Sequence, residues 1–464
     1  MNGRDVICAI ASPRGKGAVA IIRVSGPGCI LLSDSLFESS SGMKLVHARP
    51  NHLYHGRIYA AQELLDEVLL SVFHAPHSFT GEESVEIYCH GSSYIQQQIL
   101  QLLISVGCRL ARPGEFTERA FLDGKMDLSQ AEAVADLIAS TSASTHRMAL
   151  NQMRGGFSAE LLRLRSQLLN LTSLLELELD FSEEDVSFAD RQELMSIAVE
   201  TEKLISGLCR SFSLGNVLKN GVPVAITGTT NVGKSTLLNA LLREDKAIVS
   251  DLEGTTRDVI EDVITLNDID FRFIDTAGIR HTTDSLEQMG IERTFKQISQ
   301  ARIVLLMVDA NKGTDSFQDY YRQIKSHLPE DAALFIVLNK VDLVAQPEKL
   351  IVQIRKQVTD EPVLSISAKS GLLMQQLQDQ LVAAINTDYS SHGDVIVSNL
   401  RHYEALTRAR HALLLAMEGL RSNISSEFVS QDIRECLHYL GEITGEITTD
   451  EILENIFSKF CIGK

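Results

Sequence analysis

The alternation of apolar and polar residues changes character several times along this chain. Up to about residue 120, short apolar runs at Val6–Ala11, Val19–Val24, Glu67–Phe73 and Val85–Cys89 alternate with Gly/Pro turns, the rhythm of half-buried strands. A helix is predicted over Tyr94–Val106, after the HGSS turn. From Leu128 to Phe181 the spacing lengthens to three and four. Leu161, Leu162, Leu164, Leu168, Leu169, Leu171, Leu174, Leu175 and Leu177 recur as a helical stripe, and helical character continues to about Leu218. Between Val222 and about Ile385, apolar strands at Phe271–Ile274, Ile303–Val308, Leu334–Leu338 and Val363–Ile366 alternate with helical stretches, which predicts a doubly wound α/β sheet. Helix returns over Leu400–Arg421, Asp432–Gly441 and Asp450–Phe460.

These rhythms predict a multidomain α/β and α+β protein. An α+β domain spans 1–122, a helical part 123–219, an α/β module 220–385 and a second helical part 386–464. The flanking helices are either two parts of one domain that the module interrupts, since the ends of a domain often lie close, or two unrelated domains.

At 464 residues and 44% hydrophobic content the chain has the size and composition of a globular protein of several domains. Nowhere does it carry the run of ~18 apolar residues that a membrane span needs, and its start does not read as a signal peptide. The net charge of -18 argues against broad charge-driven nucleic-acid binding. Arg109, Arg112, Arg119 and Lys125 cluster locally, but Glu115, Glu118 and Asp123 lie among them, so a nucleic-acid contact and a mixed solvated segment are equally open. The seven cysteines form no CxxC pair, and the expected compartment is a reducing cytoplasm.

The α/β module carries the densest chemistry. Gly228–Ser235 reads GTTNVGKS and fills each fixed position of the GxxxxGK[ST] phosphate loop, between a strand-like run and a helix-like run that opens at Thr236. Backbone N–H groups of Asn231, Val232 and Gly233 can curl round phosphates at a helix N-terminus. Lys234 can reach the outer phosphates, and the Ser235 hydroxyl can ligate Mg²⁺. EGTTRD (Glu253–Asp258), DTAG (Asp275–Gly278), NKVD (Asn339–Asp342) and SAK (Ser367–Lys369) follow in order. A threonine of the first can hold Mg²⁺ while a γ-phosphate is present. In Asp275, Thr276, Ala277 and Gly278, the carboxylate can support the Mg²⁺ shell and the last N–H can approach the γ-phosphate. In NKVD, which also supplies Asn339 and Lys340, the Asp342 carboxylate can accept the N1–H and amine of guanine, which selects GTP. Ser367, Ala368 and Lys369 can finish the base pocket. Ras-type GTPases place Gln after DTAG; here Ile279 cannot hydrogen-bond a water. Asp284 and Glu287 are the polar candidates downstream, each also readable as a solvated acid at a helix start.

GTTNVGKSTLLN, IVSDLEGTTRDV, DTAGIR, ARPGEFTERAF and the terminal FCIGK together resemble the MnmE (TrmE) family of tRNA-modification GTPases, from Arg14 to Lys464. The resemblance implies a tetrahydrofolate-binding-like first domain that dimerises, and a Ras-like G domain inserted into a helical domain. It implies K⁺ ligated at Asn231, Ser250, Leu252 and Thr255, and Mg²⁺ at Ser235 and Thr256. Glu287 becomes the water-orienting residue, and Arg257 and Asp258 join it as catalytic candidates; Cys461 is either a catalytic thiol or a small buried residue near the folate site. Folate contacts fall on Arg23, Glu86, Lys125 and Lys464. The implied activity is K⁺-dependent GTP hydrolysis by a cytoplasmic homodimer. With an FAD-containing partner, MnmG, it would add a (carboxymethyl)aminomethyl group to C5 of the wobble uridine of certain tRNAs. The carbon would come from 5-formyl- or 5,10-methylene-tetrahydrofolate. The alternative is a GTP-dependent assembly or binding switch on ribosome or RNA, without one-carbon chemistry.

Overall fold

The structure, a computed structural model, describes residues 5–13, 15–60, 62–180, 191–244, 262–274, 295–312, 317–329, 332–358, 360–389, 396–422 and 424–463. The chain divides into two compact units. One takes Met1–Ala139, Ala149–Thr201 and Arg408–Lys464; the other takes Ser140–Met148 and Glu202–Thr407.

In the first unit, β1 (Ile7–Ile10), β2 (Val19–Ser25), β3 (Phe37–Ser39), β4 (Leu53–Ala60), β5 (Glu63–Phe73), β6 (Ser84–His90) and β7 (Arg109–Leu110) form a sheet ordered β3-β4-β5-β6-β2-β1-β7. Neighbours are antiparallel except β1 and β7. The pleat sends Ala20, Ile22, Val24, Val68, Leu70, Val72, Val85 and Ile87 to one face, where Ile99 and Leu103 of the helix Ser93–Ser105 cover them. Arg23, Leu69, Glu86 and Tyr88 therefore share the other face. Strand β4 escapes the sequence pattern because only Gly56 and Ile58 of its residues are buried.

Between Leu128 and Asp180 the predicted helical stretch resolves into Leu128–Ala139, Ala143–Met153 and Gly156–Asp180. On the last of these Leu161, Leu164, Leu168, Leu171 and Leu175 are fully buried, whereas Leu162 and Leu169 are 56% and 50% exposed. The buried stripe packs on the helix Ser426–Thr444, which buries Val429, Ile433, Cys436 and Leu440. Arg434 pairs with Glu176 across the same contact. Helices from before and after the α/β module thus pack on one another, and the reading of two unrelated helical domains falls away.

The second unit holds a six-stranded sheet ordered β13-β12-β11-β8-β10-β9: β8 (Val222–Gly228), β9 (Asp262–Leu266), β10 (Ile269–Phe273), β11 (Ile303–Asp309), β12 (Ala333–Asn339) and β13 (Val363–Ser365). All neighbours are parallel except β9, an antiparallel edge. Both faces are covered, as the doubly wound class requires. Ile303, Leu305 and Met307 point into a core with Leu237, Leu241, Leu377 and Leu381, while Val304 and Leu306 point into another with Phe317, Ile324 and Ile354.

Candidate functional site

Parallel strands that end together bring their loops together, and the phosphate loop sits at such an end. It leaves β8 and enters the helix Lys234–Glu244. Asn231 and Gly233 adopt left-handed backbone at φ 62° and 105°. Gly233 could be nothing larger: a Cβ there would stand 2.4 Å from Asn339 Nδ2. Lys234 Nζ donates to the carbonyls of Gly228 (2.7 Å) and Thr229 (3.1 Å), and burial holds its ammonium below the usual lysine value. Ser235 is half-buried in the first helical turn, while Asn231 and Thr236 are exposed.

Asn339, 2% exposed, joins this loop to the others. Its Nδ2 donates to the Val232 carbonyl at 2.9 Å and its Oδ1 accepts from Ala368 N–H at 3.0 Å. Lys340, left-handed at φ 63°, donates to the Asn231 carbonyl at 2.7 Å and to Asp309 Oδ2 at 2.6 Å. Burial alone would raise the Asp309 carboxyl, but Lys340 and the Asn311 N–H outweigh it and hold it below the usual carboxylate range. Asp342 is exposed on the turn Val341–Leu343. Ser367 and Ala368 are buried and Lys369 is exposed; Ser367 N donates to Leu372 O at 3.0 Å. The NKVD turn therefore braces both the phosphate loop and the SAK loop into one cradle. Asp309 and the bracing role of Asn339 were not foreseen from the sequence; an acid closing the strand before the NKVD strand is the signal that could have found Asp309.

In the first unit, ARPGEFTERAF and FCIGK touch. Gly114 N–H donates to the Cys461 carbonyl at 3.4 Å. Phe121, Met126, Ile456 and Phe460 pack around Leu128, Ala131, Leu453 and Phe457. Gly463 lies so close to β1 that a Cβ would stand 2.2 Å from the Ile10 carbonyl. Glu115, 3% exposed at its side chain, accepts from Arg109 Nη2 (2.7 Å), Arg119 Nη2 (3.0 Å) and Arg112 N–H (2.8 Å). Burial alone would raise Glu115, but these donors hold it down at about 2. Arg119 in turn reaches Glu82 Oε2 at 3.1 Å. The local basic cluster is thus largely spent on internal ion pairs.

Two family models cover most of the chain: the GTP-binding protein TrmE N-terminus matches residues 6–125, and the MnmE helical domain matches residues 128–461. The chain belongs to the MnmE family. A tRNA modification GTPase MnmE of Bacteroides fragilis (strain YCH46) is 57% identical over 99% of this chain and 100% of its own length. Its counterpart in Parabacteroides distasonis is 54% identical over 99% and 100%. Among solved structures, Era in complex with MgGDPNP and nucleotides 1506-1542 of 16S ribosomal RNA is 28% identical with a TM-score of 0.28, over 41% of this chain and 65% of that one.

Of the positions expected to contact folate, Arg23 and Glu86 face each other across β2 and β6. Arg23 Nε and Nη2 donate to Glu86 Oε1 at 3.0 and 2.8 Å, and Tyr88 Oη donates to Glu86 Oε2 at 2.8 Å. Burial, then the bond to Glu86, pushes Tyr88 up to about 12, so it remains a donor. The guanidinium lies 5.2 Å from the Phe79 ring and 5.7 Å from Phe116, and its Nη1 is buried with no hydrogen-bond partner among the described residues. That orphaned donor suits an acceptor-bearing ligand such as a folate. Lys125 is exposed and donates to the Pro76 carbonyl at 2.9 Å, on the same loop that carries Phe79. Cys461 is exposed. Ser250, Leu252, Thr255, Thr256, Arg257, Asp258, Asp275, Thr276, Ala277, Gly278, Glu287 and Lys464 lie outside the described residues. No helix among the described residues is long and apolar enough to cross a membrane.

Proposed function

We propose that this chain is a GTP hydrolase of tRNA modification, working in the cytoplasm as a homodimer with an FAD-containing MnmG partner on the wobble uridine of certain tRNAs. The observation that carries the GTPase half is the bracing of the phosphate loop by Asn339 and Lys340, which holds phosphate-side and base-side loops in one rigid cradle. The functional division is a folate and dimerisation domain over 1–122, helical parts over 123–219 and 386–464, and a G domain over 220–385.

Lys234 and the N–H groups of Asn231, Val232 and Gly233 would bind the phosphates, with Asp342 on the guanine edge between Asn339 and Ser367, Ala368 and Lys369. Ser235 and Thr256 would hold Mg²⁺ near Asp275, and Asn231, Ser250, Leu252 and Thr255 would hold K⁺. Bound there, the two cations supply charge neutralisation for the phosphates. Glu287 orients water in place of the missing Gln, with Arg257 and Asp258 in the same loop system as GTTRD. In the first domain, Arg23, Glu86, Lys125 and Lys464 would hold a 5-formyl- or 5,10-methylene-tetrahydrofolate, whose role is to supply the carbon. Arg23 Nη1 is the donor that such a ligand would satisfy. Cys461, on the terminal segment that reaches Gly114, would serve the same chemistry.

GTP turnover of the purified chain in K⁺ against Na⁺ buffer tests the nucleotide half: K⁺ stimulation is expected, and equal rates sink the cation site. Nucleoside analysis of tRNA from cells lacking the chain tests the rest. Loss of the modified wobble uridine is expected; a normal profile favours a binding switch without one-carbon chemistry.

A further inference from the structure

Ser140–Met148 belongs to the second unit, although the chain on either side of it belongs to the first. Ser142 and Thr145 fix this segment by capping the helix Ala143–Met153 reciprocally. Ser142 N–H donates to Thr145 Oγ1 at 3.1 Å, and Thr145 N–H donates to Ser142 Oγ at 3.4 Å. That holds Thr141 and Ser144 in place. Thr141 Oγ1 donates to Asp270 Oδ2 at 2.6 Å, and Ser144 Oγ donates to the Asp268 carbonyl at 2.6 Å. Thr265 Oγ1 donates to the other carboxylate oxygen, Asp270 Oδ1, at 2.7 Å. Asp270 is 6% exposed, so hydroxyls stand in for water at both of its oxygens. Met148 packs against the adjoining core.

The clasped residues form the tip of the β9–β10 hairpin. Asn267 and Asp268 are both left-handed, at φ 46° and 66°, as a tight two-residue hairpin turn demands. The other ends of the same strands lead to the nucleotide motifs: β9 follows GTTRD, and β10 runs into DTAG. β10 is also paired with β8, the phosphate-loop strand, through Phe271–Val222 and Phe273–Val224. Five residues of strand span roughly 15 Å. A hairpin is stiff along that length, so its tip and its loop ends shift together.

We propose that the Thr141–Asp270 and Ser144–Asp268 clasp is the coupling contact by which the GTPase cycle is linked to tRNA chemistry. Through chain continuity it ties the hairpin between the two nucleotide motifs to the helix Leu128–Ala139, which carries on from the ARPGEFTERAF segment. The inference rests on the GTPase reading above. Thr141, Ser144 and Asp270 are positioning residues that act through the hairpin, and their side chains hydrogen-bond within the clasp itself.

The test uses the full chain and Thr141→Val, which keeps the shape and removes the donor. Two readouts are compared: GTP turnover of the purified variant in K⁺ buffer, and wobble-uridine modification in cells where the variant replaces the natural chain. Turnover is expected within about twofold of the unaltered chain, while modification falls roughly tenfold, a size ordinary for coupling between sites. Thr141→Ser, which restores the hydroxyl, is expected to restore modification. Normal modification with Thr141→Val, or turnover and modification falling in parallel, overturns the clasp as a coupling contact. Should Thr141→Val fail to fold, Ser144→Ala carries the same expectation, and full modification there overturns it. If the unaltered chain shows neither turnover nor modification, the GTPase reading fails, and the clasp with it; an active unaltered chain isolates failure to the clasp.

Discussion

The nucleotide cradle and the junction around Glu115 are both made of short motifs, yet the chain assembles them by different rules. In the cradle, the described motifs end parallel strands, so topology alone brings Lys234, Asn339 and Ala368 together. The junction joins ARPGEFTERAF to FCIGK from opposite ends of the first unit, and helix packing with the Gly114–Cys461 backbone bond makes the contact, beside the buried ion network of Glu115. A motif whose chemistry is local can be read in one dimension. A motif whose chemistry is a partner's surface cannot be read until the partner is found.

Breaking the cradle should produce the largest effect. Lys234→Ala removes the phosphate loop's own cation, and loss of one such donor costs about 100- to 1000-fold in turnover. Single-turnover GTP hydrolysis measures it. A loss under tenfold would mean that the cradle works without its lysine.

Breaking the junction should cost stability instead of rate. Glu115→Gln leaves Arg109 and Arg119 facing a neutral group, and removing one partner of a buried pair costs about 3 kcal/mol. Urea unfolding of the first unit's transition is the measurement. The pH dependence has a definite sign. The Glu115 carboxyl is held at about 2 against an ordinary 4.5, so its contribution is complete above about 4.5 and is lost as pH falls toward 2. Arg109, Arg112 and Arg119 face it, and Glu82 lies behind Arg119. Glu115→Gln should flatten the acid limb of the stability curve; an unchanged limb would remove Glu115 from that role.

How much was legible follows the same division. The strands β8, β11 and β12 and the loops after them were readable because a near-continuous apolar run followed by a polar motif is a local signal. The role of Asn339 as a brace was not, because its two bonds reach Val232 and Ala368. The leucine stripe on Gly156–Asp180 was readable as helix but not as a buried face. Leu162 and Leu169 satisfy the same spacing counts as Leu161 and Leu168 and still face outward. Membership of Ser140–Met148 in the second unit left no trace in the pattern, since serine and threonine there look like an ordinary loop until Asp270 and Asp268 receive their hydroxyls.

That leucine pair offers a smaller, cleaner test. Leu168→Ala should cost about 3 kcal/mol, the transfer of a buried side chain plus the cavity it leaves, whereas Leu169→Ala one residue on should stay within about 0.5 kcal/mol. Equal costs would mean that the exposed row of this helix is covered by something else.

The smallest effect belongs to the ion pairs of the first sheet, where chemistry and register match but burial differs. Arg57–Glu67 and Arg23–Glu86 are both cross-strand arginine–glutamate pairs, at 3.0 and 2.8 Å. The first has half-exposed partners on both strands, and water screens it. The second sits under Phe79 and Phe116, at 15% and 16% exposure, with Tyr88 holding the free carboxylate oxygen. Arg57→Gln should leave the urea midpoint unmoved within error, while Arg23→Gln should shift it, because Glu86 then loses its charged partner in a place where water cannot replace it. A measurable loss from Arg57→Gln would overturn the ranking, for it would place energy in a contact whose geometry is sound but whose surroundings are wet.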